Sequence, residues 1–173
     1  MKEIEAKFLV SSVDEIKSRL ENSGFSKEKD FTELVTCYDT PDGRWKDRKT
    51  TIRTKVIDEK LIFTVKKRIE GEFKSSMEKE CSVNAPINEF REMLQMIDLT
   101  PSLEYSKTRK HYTRTDGSAA ELDHIEETGD RFIELETQSE DEMRNLIVEL
   151  GFENIIPDLR SYPNIIREYR ESQ

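Results

Sequence analysis

The feature that most constrains this chain is a series of short alternating segments whose polar positions carry charge, mostly of one sign per segment. Successive side chains of a β-strand point to opposite faces, so positions two apart share a face. Glu3, Glu5 and Lys7 therefore lie together. So do Arg53 and Lys55, and Thr64, Lys66 and Arg68. The same holds for Glu78 with Glu80, Lys107 with Arg109 and His111, Glu121 with Asp123, and Glu134 with Glu136. The positions between them are largely apolar, as at Ile4, Phe8, Ile52, Phe63, Val65, Leu122, Ile133 and Leu135. An ordinary sheet with its charged faces in solvent is the plain alternative. Two points count against it. Like charges two apart on a strand repel, and strand surfaces usually mix signs. The apolar faces would also still need a covering layer. A closed barrel meets both demands, with the charges in its lumen and helices on its outer surface.

The expected strands are Glu3–Leu9, Leu34–Asp39, Thr50–Val56, Lys60–Ile69, Met77–Val83, Tyr105–Arg114, Ala119–His124 and Arg131–Thr137. Thr40-Pro41-Asp42-Gly43 and Asp116-Gly117 read as turns, and Gly71 as the break between two hairpin arms. Three helices are expected. Ser12 and Glu15 open one that ends at Gly24, and Ser139 and Glu142 open another that ends at Gly151. The third covers roughly residues 86–98, with Pro86 in its first turn and Ile87, Phe90, Leu94 and Ile97 as its packing stripe. A weak internal echo links Glu3-Ile4-Glu5 and its helix to Glu134-Leu135-Glu136 and its helix. The fold class is thus α+β: a closed antiparallel eight-stranded barrel with a charged lumen and outer helices. Residues 1–173 read as a single domain, with no Gly-, Ser- or Pro-rich linker.

Composition narrows the function classes. Only 34% of residues are hydrophobic and 38% are charged, but eight Phe, five Tyr and clear periodicity argue against disorder. A net charge of −9 disfavours a broad nucleic-acid-binding face. Cys37 and Cys81 show no zinc spacing and make no disulfide framework, which points to a reduced, cytoplasmic protein. The first residues lack the apolar run of a signal peptide, and no stretch approaches the roughly 20 apolar residues of a membrane span. No nucleic-acid or membrane partner is expected, and a homodimer is left open.

A lumen with acidic strands facing basic ones has a specific chemistry. Clustered carboxylates bind Mg²⁺ or Mn²⁺ through oxygen, and Arg and Lys clamp phosphate oxygens. A polyphosphate with divalent metal satisfies both halves. The ordered motifs Glu3-Ile4-Glu5-Ala6-Lys7, Tyr38-Asp39-Thr40, Ile52-Arg53-Thr54-Lys55, Thr64-Val65-Lys66, Glu78-Lys79-Glu80, Lys107-Thr108-Arg109, Glu121-Leu122-Asp123 and Glu134-Leu135-Glu136 resemble those of the CYTH superfamily, the triphosphate tunnel metalloenzymes. Ser161-Tyr162 resembles a Ser-Tyr that follows the last helix in that family. Lys55 departs from the pattern, standing where a second Arg is common.

The resemblance implies metal-dependent hydrolysis of a small-molecule triphosphate: inorganic tripolyphosphate, a nucleoside triphosphate or thiamine triphosphate. It implies Mg²⁺ or Mn²⁺ on Glu3, Glu5, Asp123, Glu134 and Glu136, with Glu78 and Glu80 assisting a second metal. Lys7, Arg53, Lys55, Lys66, Lys107 and Arg109 would bind the triphosphate, and Glu5, Lys7 and Glu136 are the catalytic candidates. Arg68 and Glu121 have the same facing, with a tunnel-mouth position open for either. Tyr38 and Tyr162 are read as packing or lid residues. The alternatives are a class IV adenylate cyclase, a non-catalytic polyphosphate- or nucleotide-binding module, and an acidic scaffold with exposed charges.

Overall fold

The structure is a computed structural model and describes residues 2–173. Its elements run β1 (Lys2–Leu9), α1 (Val13–Asn22), β2 (Ser26–Asp39), α2 (Arg44–Asp47), β3 (Thr50–Ile57), β4 (Lys60–Ile69), β5 (Lys74–Val83) and α3 (Ile87–Gln95). They continue with β6 (Thr100–Thr113), β7 (Ala119–Ile125), β8 (Arg131–Thr137), α4 (Glu140–Glu149) and α5 (Tyr162–Glu171). The eight strands close into a barrel in the order β1-β5-β4-β3-β2-β6-β7-β8. Every neighbouring pair is antiparallel. The ends of β1, β2, β4 and β7 therefore meet the starts of β3, β5, β6 and β8 at one rim, the upper rim.

Residues directly opposite in an antiparallel pair share a face. The register sets Glu5 against both Lys74 and Glu136, Lys7 against Glu134, Lys66 against Glu78, and Arg109 against Asp123. These charged residues all face the lumen. The other face is apolar and covered. Ile4, Phe8, Leu122, Ile133 and Leu135 pack under Ile16 and Leu20 of α1 and Met143 and Leu146 of α4. On the far side Tyr38, Ile52, Phe63 and Val65 pack with Phe90 and Leu94 of α3, the Phe63 and Phe90 rings 5.3 Å apart.

The internal echo is a real structural repeat. β1 with α1 and β8 with α4 are neighbouring strand–helix units. Ser12 and Ser139 cap the helices, and Ser139 with Glu142 forms the reciprocal box. Gly24 and Gly151 follow them at φ +77° and +72°, a conformation glycine adopts without steric penalty. Arg19 Nη1 ties the units together by donating to the Leu150 carbonyl at 2.7 Å.

Three differences from the expected elements matter. β2 begins at Ser26, eight residues early, because its first half pairs only with β6 and shows no apolar alternation. β5 begins at Lys74, with Ser75 and Ser76 buried despite their polarity. Ser161-Tyr162 does not follow the last helix. Ser161 caps a fifth helix, its Oγ accepting from the Asn164 N–H at 3.4 Å, with Pro163 in the first turn. Tyr162, Ile165 and Ile166 of α5 pack onto Val35, Leu103, Tyr105, Ile125 and Phe132. Those strand positions face the lumen, since Val35 lies opposite Lys55 and Phe132 opposite Asp123. Helix α5 therefore stoppers one side of the upper rim.

Candidate active site

The lumen holds a cavity of about 620 Å³ whose lining includes Glu3, Glu5, Arg53, Lys55, Lys66, Lys74, Glu78, Glu80, Lys107, Arg109, Glu121, Glu134 and Glu136. Most of the residues expected at the site are among them, and they form two ion-pair groups. In the first, Lys66 Nζ contacts Glu5, Glu3 (3.1 Å) and Glu78 (3.1 Å). Arg53 pairs with Glu78 at 3.5 Å and Lys55 with Glu80 at 2.8 Å. Lys74 bridges Glu5 and Glu134, the latter at 3.2 Å. Burial alone would lower the Lys66 ammonium; Glu5 and Glu78 more than reverse that and hold it above its ordinary value.

In the second group, Lys107 pairs with Asp123 at 3.0 Å and Glu33 at 3.4 Å. Arg109 donates to both oxygens of Asp123, at 2.7 and 2.6 Å, and also pairs with Glu121 and, at 3.6 Å, Glu134. Burial would raise the Asp123 and Glu134 carboxyls. The cations beside them, Arg109 and Lys107 at the first and Lys74 and Lys7 at the second, hold both below the usual range.

One carboxylate stands outside both groups. Glu136 makes no ion pair or hydrogen bond with another described residue. Burial, with Glu121, Glu5 and Glu134 around it, pushes its carboxyl well above the usual range. Among the described residues, buried groups of the lumen that lack a hydrogen-bond partner include Arg53 Nε and Ser76 Oγ on residues that line the cavity, and Thr64 Oγ1 and the Tyr105 hydroxyl on residues that do not. Buried polar groups are nearly always hydrogen-bonded, so the first two, beside the cavity, signal a missing acceptor.

Glu121, Asp123 and Glu134 each present a carboxylate oxygen, and these oxygens lie within 4.8 Å of one another. Oxygen donors so close fit a hard divalent cation such as Mg²⁺ or Mn²⁺. Arg109 neutralises the same three groups, so a metal here competes with a guanidinium. Glu121 thus belongs inside the cluster and not at a mouth, while Arg68 is exposed at the upper rim.

Lys7 is separated from the cavity. Its ammonium donates to the Arg160 carbonyl and sits 4.3 Å from the Tyr162 ring centre and 5.3 Å from that of Phe132. Burial lowers its pKa to about 8 despite the pull of Glu134. The Lys107 ammonium lies 4.8 Å from the same Tyr162 ring. Tyr162 is therefore the lid over two cations, and Tyr38 is a packing residue whose hydroxyl lies 3.3 Å from Thr54 Oγ1. The buried Asp39 carboxylate accepts N–H bonds from Thr40, Trp45 and Lys46 (2.8–3.0 Å), so the Tyr-Asp-Thr motif shapes the turn that starts α2. His111 Nδ1 lies 3.5 Å from Glu121, and His124 lies 3.8 Å from Glu126 on a more exposed face.

Sequence reasoning missed Lys74 and Glu33, both strongly paired in the lumen. Alternation carried back two steps from Glu78 through Ser76, or from Cys37 through Val35, reaches each of them. It also missed Lys46 and Lys49 at the upper rim, which no strand pattern marks because one sits in the short helix α2 and the other in the turn after it.

The chain resembles several solved structures over nearly its whole length. The PH1819 protein of Pyrococcus horikoshii is 24% identical with a TM-score of 0.78, covering 96% of this chain and 99% of that one. A proposed adenylate cyclase from Vibrio parahaemolyticus is 16% identical with a TM-score of 0.76, covering 95% and 97%. HpAC1 from Hippeastrum, described as an adenylyl cyclase candidate with a dominant triphosphatase activity, is 20% identical with a TM-score of 0.71, covering 96% and 95%. At these identities the likeness shows the fold alone. No curated protein matches the chain. The CYTH domain family model matches residues 1–160, and with that match over most of its length the chain belongs to the CYTH domain family.

Proposed function

We propose that this barrel is a metal-dependent triphosphatase that hydrolyses inorganic tripolyphosphate. The observation that carries the reading is the cavity wall: paired Arg and Lys side chains, an unpaired Glu136, and buried donors that lack an acceptor. A triphosphate offers many anionic oxygens at once. On entry it takes hydrogen bonds from Arg53, Lys55, Lys66, Lys74, Lys107 and Arg109, and from the unpartnered Ser76. Each cation that turns to phosphate releases a carboxylate. Glu5, Asp123, Glu134 and Glu121 are then in negative excess and would hold Mg²⁺ or Mn²⁺, with Glu3, Glu78 and Glu80 nearby. Bound metal supplies neutralisation of phosphoryl charge and Lewis-acid polarisation. Glu136, which has no cation to release, orients the attacking water and takes its proton, while the cations stabilise the charge on the transferred group. Lys7 supports Glu134 from the stoppered end.

No protein nucleophile is needed. Cys37 lies at the apolar end of the lumen, where burial pushes its thiol up, and Cys81 is exposed. The cavity also offers little aromatic surface to an organic group. Among the described residues the aromatic ones lining it are Tyr38 and Tyr162, both mostly covered by packing.

A panel of tripolyphosphate, ATP and thiamine triphosphate with Mg²⁺ or Mn²⁺, read for phosphate and cyclic AMP, tests this. The expected result is phosphate released fastest from tripolyphosphate. Glu136→Gln should lower kcat by about a hundredfold or more with the thermal midpoint nearly unchanged. Cyclic AMP as the main product from ATP would make the protein a cyclase. Tight binding without turnover would make it a binding module.

A further inference from the structure

The cations of the lumen and those of its upper rim differ in one respect. Arg53, Lys66, Lys74, Lys107 and Arg109 all have carboxylate partners. Lys46, Lys49, Arg68 and Arg167 line the same cavity at its upper end, and none makes an ion pair or side-chain hydrogen bond with another described residue. Lys66 and Arg68 show the contrast on one strand: two residues apart, one held by three carboxylates and the other free. Glu70 borders the shallow depression that Lys49 and Arg68 share, and it pairs with neither.

The backbone beneath these side chains is fixed. Asp39 holds the N–H groups of Trp45 and Lys46. Lys49 is left-handed at φ +54°, a conformation that costs a non-glycine residue energy. Its N–H donates to the Lys46 carbonyl at 2.9 Å, and its carbonyl accepts from the Arg68 N–H at 3.0 Å. The turn and the end of β4 are thus tied together with their like charges adjacent. In a chain of net charge −9, uncompensated cations gathered at one mouth create a local field that attracts anions.

We propose that Lys46, Lys49, Arg68 and Arg167 form a second anion subsite for linear inorganic polyphosphate of four or more units. The lumen takes three phosphates and the collar takes those beyond them. The inference rests on the reading that the lumen holds a triphosphate. A nucleic acid fits the rim less well. Trp45, the aromatic residue of α2, packs into the layer beneath α3 with Arg48 5.6 Å from its ring centre, so most of its surface is taken.

Calorimetric titration with sodium tripolyphosphate and with longer linear polyphosphates tests the collar, with phosphate release measured alongside. In the unsubstituted protein the longer chains should bind about tenfold tighter than tripolyphosphate, or about 1.4 kcal/mol. Lys49→Ala/Arg68→Ala should abolish that difference while leaving tripolyphosphate affinity and hydrolysis unchanged, and added salt should shrink it in the unsubstituted protein. If that variant does not fold, Lys46→Gln/Arg68→Gln replaces it. Equal affinity for short and long chains overturns the inference, as does an equal loss for both in the variant. So does a 5′-triphosphorylated oligonucleotide that outbinds polyphosphate. A length preference without any hydrolysis would keep the collar and remove the triphosphatase. Hydrolysis without a length preference would do the reverse.

Discussion

The two walls of the barrel use the same residue types to opposite effect. On the β1-β5-β4-β3 wall, the side chains of Arg53, Lys66 and Lys74 are 15–17% exposed and reach carboxylates across the open cavity. On the β2-β6-β7-β8 wall, Lys107 and Asp123 are at most 2% exposed, and Arg109, at 12%, grips Asp123 with two parallel bonds. Water can compete for the first set of pairs and less for the second, which a phosphate must draw apart. Ion pairs open to solvent are worth little, whereas breaking a buried pair leaves an uncompensated charge. The first wall exchanges partners readily, and the second gives up its pairs only to a ligand and metal that replace both partners.

The largest expected effect tests the closed wall. Arg109→Ala removes the cation shared by Glu121, Asp123 and Glu134, leaving Lys107 at Asp123 and Lys74 at Glu134, and should lower the unfolding free energy by about 3–5 kcal/mol. Denaturant melts would show this as a lower midpoint, and added Mg²⁺ or Mn²⁺ should recover part of the loss. A stability loss no greater than that of a surface substitution would erase the distinction between the walls. The next test addresses the open wall. Lys66→Ala should cost about 1–2 kcal/mol of stability, because water can reach Glu3 and Glu78 once the ammonium is gone. It should raise the apparent KM for tripolyphosphate about tenfold. If Lys66→Ala destabilises more than Arg109→Ala, the two walls have been assigned the wrong way round.

The division into walls could be read only partly from the sequence. Alternation placed Glu5, Lys66, Arg109 and Glu134 on one face, because facing follows from the two-residue period alone. The same period predicted a closed barrel, since both faces needed cover. It could not say which cation meets which carboxylate. That depends on the strand order, in which β1 lies between β5 and β8, far from it in the chain. Lys74 lies before the expected start of β5, because Ser75 and Ser76 lack the apolar character that marks a buried strand position. Helix α5 is absent from the expected elements for a related reason. The Ser161-Tyr162 motif draws attention from Pro163 and the pair Ile165-Ile166 after it, which form an N-terminal helix signature. Without α5, alternation alone leaves Lys7 in the open lumen.

Lys7 offers the smallest and most discriminating test, since it stands where the open strand β1 meets the closed end. The residue is 1% exposed, its ammonium under Tyr162 and against the Arg160 carbonyl. Burial lowers its pKa from 10.5 to about 8. The sign of the pH effect follows from proton binding. Between about pH 8 and 10.5 the folded chain has released this proton while the unfolded chain keeps it. The unfolded state then binds more protons, so stability rises with pH across that window. For one group the slope is at most about 1.4 kcal/mol per pH unit. In Lys7→Met this contribution is absent, and subtracting the two stability curves cancels the titration of distant groups. The unsubstituted protein should therefore gain stability relative to Lys7→Met as pH rises from 8 to 10.5, and the difference should be flat below 8. A flat difference throughout would mean that Lys7 titrates as a solvated amine, and that the stopper formed by α5 is open enough for water to reach it.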